Sequence, residues 1–134
     1  MPLTGSWYVP NRVVLMELRG VLDSDGLRSG SDAIADMVEN APDGLILVRD
    51  GRGLRGLEVP AAEVARIARW LGSPKFAGMV LISDADSIHL ELTGELVARV
   101  KHIHTESAAT MQEVHHHLIT MDPSLKGLLP DLSN

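Results

Sequence analysis

The chain has 134 residues, a formal net charge of -6 and no cysteine. That length fits one domain and is too short for two ordinary ones, and without cysteine there is neither disulfide nor thiol chemistry. No Lys/Arg run supplies the cationic face that nucleic-acid binding by counterion release requires, and no apolar stretch approaches the ~20 residues of a membrane span.

Hydrophobic residues make up 45% of the chain and aromatic residues only 3%, so the core must be built from Leu, Val, Ile, Ala and Met. The first ten residues lack an apolar signal-peptide region and a cleavage pattern, so a cytoplasmic protein is expected.

Two apolar segments open the chain, Trp7-Tyr8-Val9 and Val13 to Leu22, separated by the turn signal Pro10-Asn11. They predict an antiparallel hairpin. Asp23-Ser24-Asp25 offers N-cap chemistry for a helix to about Asn40, with Leu27, Ile34, Met37 and Val38 at helical spacing. After Pro42-Asp43-Gly44, the run Leu45 to Val48 predicts a strand buried on both faces.

A glycine-rich loop is expected next, followed by a second helix that opens at Pro60 and carries Val64, Ile67, Ala68 and Leu71 on one stripe. Met79 to Ile82 repeats the buried-strand signature, and Asp84 or Asp86 can cap a third helix bearing Ile88, Leu92 and Leu96. Val100 to Thr105 predicts a short strand near an edge. Thr110 to Glu113 is a capping box opening a last helix with Met111, Val114, Leu118 and Met121 on one side.

The expected fold class is therefore α/β: a single domain over 1–134 with a mixed β-sheet and the order β-β-α-β-α-β-α-β-α. Its core spans about residues 6–121, and 122–134 form a C-terminal extension, packed or loose.

This order, with the loop after the third strand, resembles the STAS family, the domains of bacterial anti-sigma-factor antagonists, stressosome proteins and anion transporters. The family's loop reads Asp, any residue, Ser-Gly, apolar, two variable residues, apolar, Asp, Ser, Ser or Thr, Gly. Asp50, Gly53, Leu54 and Leu57 match it, and Glu58 keeps the acid at the second Asp position. The family's phosphorylatable hydroxyl falls at Val59 or Pro60, and neither side chain can accept a phosphoryl group. The resemblance implies a regulatory protein–protein interaction module without the phosphorylation switch.

Gly51-Arg52-Gly53-Leu54-Arg55-Gly56 also fits the dinucleotide fingerprint G-x-G-x-x-G, but a helix starting at Pro60 begins too late for that role. The competing reading is a surface loop whose glycines need positive φ. The consecutive histidines His115, His116 and His117 fan around a helix at about 100° per residue and cannot chelate one metal together. His116 is expected to face solvent, with His115 and His117 at the boundary of the apolar face. His102 and His104 share one side of a strand, without a third ligand. No nucleophile elbow is present.

The expectation is a non-enzymatic domain without metal or cofactor that docks a protein partner. The docking residues are Asp50, Arg52, Gly53, Leu54, Arg55, Leu57, Glu58 and Pro60, Arg52 and Arg55 giving charge and Leu54 and Leu57 apolar contact. A homodimer through the opening hairpin, which carries Trp7 and Tyr8, is also expected. The alternative is a small-ligand carrier or sensor, taking a lipid or nucleotide into an apolar cleft.

Overall fold

The computed structural model describes residues 2–83 and 103–132. Asn11 adopts a left-handed backbone (φ 61°), and the Arg12 amide donates to the Val9 carbonyl, closing a tight turn between β1 (Leu3–Val9) and β2 (Val13–Asp23). The expected hairpin is present, and its first strand begins four residues before Trp7. Asp23 then caps α1 (Ser24–Glu39), its carboxylate accepting from the Gly26 amide at 2.8 Å. This satisfies a backbone donor that the first helical turn leaves open. At the far end of α1, Lys75 Nζ donates to the carbonyls of Val38 and Glu39, placing a cation where the helix dipole favours one.

The later elements are β3 (Leu45–Glu58), α2 (Ala61–Ile67), a 3-10 turn at Arg69–Gly72, β4 (Phe76–Ile82), β5 (His104–Ala108), α3 (Met111–Met121) and a 3-10 turn at Pro123–Leu125. The five strands form one sheet in the order β1-β2-β3-β4-β5; β1 is antiparallel to β2, and the remaining pairs are parallel. The protein is thus a single α/β domain with a mixed sheet.

Helices cover both faces, and strand alternation divides the core accordingly. Leu45, Leu47 and Met79 face α1 and α2 together with Leu27, Ile34, Val64 and Trp70. Ile46, Val48, Val80 and Ile82 face α3, packing on Val114, Leu118 and Leu125. The continuous apolar runs of β3 and β4 exist because both faces of these strands are buried. α1 lies so close to β1 that a Cβ at Gly30 would fall 2.8 Å from the Leu3 carbonyl oxygen.

Three expectations change. The segment 50–58 is strand, not loop. Pro60 is the N-cap of α2 rather than a residue of its first turn. The edge strand stands at His104–Ala108, displaced from the Val100–Thr105 expectation, of which 100–102 lie outside the described residues. The helix expected after Asp84 also lies outside them. The tail is packed: Leu125 is fully buried, and Arg12 reaches both the Asp122 carboxylate and the Ser124 hydroxyl.

Candidate functional site

β4 pairs with β3 only as far as the Ile82–Asp50 position, whereas β2 accompanies β3 to the Asp23–Glu58 position. Beyond Asp50, β2 and β3 therefore continue as a parallel ribbon, and no described strand pairs with the other edge of β3. The ribbon holds two register shifts, between Glu17 and Arg19 and between Gly20 and Val21, at each of which β3 carries an extra residue. Such bulges bend a strand and re-aim its side chains. Gly20, on β2 beside the second one, has a positive φ (64°).

The glycines of β3 act differently from the loop expectation: none of Gly51, Gly53 and Gly56 has positive φ. They admit close approach instead. A Cβ at Gly53 would stand 3.1 Å from the Leu18 carbonyl oxygen, and one at Gly56 would stand 3.2 Å from a Val21 methyl.

The predicted site residues divide between the two sides of this ribbon. Leu54 is fully buried in the core below α1 and α2, so it anchors the ribbon and offers no surface to a partner. Leu57 is half-buried against the same core, and Arg55, Glu58 and Pro60 are exposed. Val59, where the resemblance places a hydroxyl, is buried and fixes the turn into α2 by packing.

Asp50 is 14% exposed and takes both the Nε and the terminal amine of Arg52, at 3.0 and 2.8 Å, along with the Arg52 backbone amide. Burial pushes its carboxyl up. The Arg52 hydrogen bonds and the charges of Arg52 and Arg19 outweigh that and hold it below the usual carboxylate range. Glu17, opposite Asp50 in the register, is paired with Arg19, so the two like charges are each screened by an arginine. Arg55 donates to the carbonyls of Arg52 and Leu54 on its own strand.

Val21, which sequence patterning assigned to the hairpin and not to the site, is 51% exposed on the ribbon. It flanks an open groove of about 710 Å3 with Arg19, Asp23 and Asp25, between the ribbon and the first turn of α1. The signal available in the sequence was strand alternation: Leu22 is buried in the core, which turns Val21 to the opposite face. Arg49, just before the ribbon, lies between Met16 and Leu81 in the register, with its Nε buried and without a hydrogen bond. Burial lowers its pKa.

Elsewhere, Tyr8 and His115 are hydrogen-bonded between hydroxyl and Nε2, joining β1 to α3. His116 is exposed, and His115 and His117 are half-buried, as the helical geometry predicts. Glu106 contacts His104 at 2.9 Å and His117 at 3.7 Å. Among the described residues no group of three or more His, Asp or Glu side chains is arranged to hold a metal ion. His102 lies outside them. No helix among them is long and apolar enough to cross a membrane.

A second cleft, of about 640 Å3, lies between α1 and the segment from α2 to the following 3-10 turn. Ser31 and Trp70 are among its lining residues, and the Ser31 hydroxyl and the Trp70 indole nitrogen are buried without a hydrogen-bond partner. Leaving a buried polar group unsatisfied costs about 1–3 kcal/mol. Sequence reasoning missed both, because a serine and a tryptophan 39 positions apart carry no shared pattern until the helices bring them together.

Comparison with family models gives no match to this chain, and comparison with curated proteins gives none either.

Proposed function

We propose that this chain is a non-enzymatic regulatory interaction module of STAS-like design. It docks an extended segment of a protein partner along the β2–β3 ribbon and the turn into α2. The observation that carries this reading is the continuation of β2 and β3 past the end of β4, which leaves Val21 51% exposed beside an open groove. An exposed apolar side chain beside an open groove on a strand ribbon, rimmed by charges of both signs, suits recognition of an extended peptide better than turnover.

The groove beside Val21 carries Arg19, Asp23 and Asp25, and a partner needs complementary charges along it. The resemblance noted in the sequence points to the same segment. With Val59 and Pro60 at the position of the hydroxyl, docking is constitutive, without control by phosphorylation there.

A photo-crosslinking residue at Val21, with the same residue at exposed Thr120 on α3 as control, tests the reading in lysate of the native host. One polypeptide captured from Val21 and absent from Thr120 is the expected result, and Val21→Glu should then remove it from co-purification while leaving the thermal midpoint unchanged. No position-specific product, or co-purification indifferent to Val21→Glu, overturns the assignment.

A further inference from the structure

Two groups in the helical layer are built into the same cleft without a partner. Ser31 is 1% exposed and Trp70 is 7% exposed, and both the Ser31 Oγ and the Trp70 Nε1 are without a hydrogen bond. Both residues line the cleft of about 640 Å3 between α1 and α2. An indole N–H can only donate, and a serine hydroxyl can donate as well. Both are therefore suited to one kind of visitor, an oxygen acceptor.

The rim states the charge of that acceptor. Arg28, Arg66 and Arg69 line the cleft against a single lining carboxylate, Asp32. Glu63, beside it, is already held by Arg28 at 3.1 Å and by Arg66 at 3.7 Å. Arg69 is exposed and has no ion pair among the described residues. In a chain of net charge -6, this cleft is a local reversal of sign. Ala35 and Ile67 complete its wall with apolar surface.

We propose that the cleft between α1 and α2 binds a small organic carboxylate with an apolar body. One carboxylate oxygen accepts from the Trp70 Nε1–H and the Ser31 hydroxyl, Arg69 balances the charge, and the body of the molecule lies on Ala35 and Ile67. A phosphate dianion fits less well, since two of the three guanidinium groups are committed to Glu63 and the remaining donors are neutral. Water alone would satisfy the two orphaned groups but leaves the apolar wall and Arg69 without a counterpart. This site shares no residue with the docking surface, so either proposal can fail while the other stands.

The indole N–H of Trp70 reports occupancy directly in a 15N-correlated proton spectrum of the full chain. Trp7→Phe, or the contact of Trp70 with Phe76 in the unaltered protein, distinguishes it from the other indole signal. Octanoate, 1-octanol and inorganic phosphate are the probes. The expected result is a saturable downfield shift of the Trp70 signal with octanoate alone, weakened about tenfold by Ser31→Ala and by Arg69→Glu while the backbone amide spectrum is retained. No shift with octanoate overturns the proposal. So does an equal shift with 1-octanol (an apolar cleft only), an equal shift with phosphate (an anion site without a body), or unaltered octanoate binding in Arg69→Glu.

Discussion

Arg49 brings a charge into the sheet that no described residue neutralises. Its register neighbours are Met16 and Leu81, its Nε is buried without a partner, and an arginine cannot escape the cost by losing its proton at any ordinary pH. Arg49 is half-buried, with apolar neighbours on both adjoining strands. Arg49→Met should therefore stabilise the fold by about 1–3 kcal/mol, read as a higher midpoint in urea with an unchanged slope. A lower midpoint would show that the guanidinium contributes more than its stem. The same comparison shows why sequence reading stops short at single residues. Arg49, Arg52 and Arg55 look equivalent in the sequence, yet the first is half-buried with its Nε enclosed, the second is locked on Asp50 and the third lies along its own strand.

At the scale of elements, the sequence conveys the hairpin, α1, the start of β3, β4 and the capped α3, because periodicity and capping chemistry act locally. The Thr110 hydroxyl accepts from the Glu113 amide, and the Glu113 carboxylate accepts from the Ala109 amide, one residue before the usual partner of a capping box. What stays hidden is the extent of β3. Glycine and arginine in alternation carry a loop signature, and only the neighbouring strand β2, bulged to match, turns those residues into ribbon. Leu54 separates the two readings. As a loop residue its truncation would be nearly neutral. As a strand residue buried under α1 and α2, Leu54→Ala should cost about 2–5 kcal/mol, measured by chemical denaturation, while Arg55→Ala stays within about 0.5 kcal/mol.

Across the whole molecule, the opening hairpin and the C-terminal segment hold each other. Tyr8 meets His115, Arg12 meets Asp122 and Ser124, and Leu125 fills the core between β2 and α3. Burial pushes the Tyr8 phenol up and the His115 imidazole down, so at neutral pH the phenol keeps its proton and donates to an uncharged ring. Because the folded His115 is the weaker base, the unfolded chain takes up a proton first as pH falls. The associated stability is complete above the ordinary histidine value of about 6.5 and declines below it, toward the lower folded value. Thermal melts between pH 8 and pH 5 should show this loss. Tyr8→Phe should lower stability by about 0.5–1.5 kcal/mol at pH 8, and His115→Phe should flatten the pH dependence in that window. A slope unchanged in His115→Phe would assign the proton uptake to another group.

The strands follow one another across the sheet in the order in which they occur in the chain. Each new strand can therefore be laid against the one formed just before it, and loop closures within the sheet stay short. The contacts of Tyr8 and Arg12 with α3 and the segment after it span 107 to 112 residues, and they can close only after that assembly is complete. In native-state hydrogen exchange, β1 should then open before β2 and β3 do. The strand that begins the sheet is thus paired early by its own hairpin and tied to the C-terminal segment last.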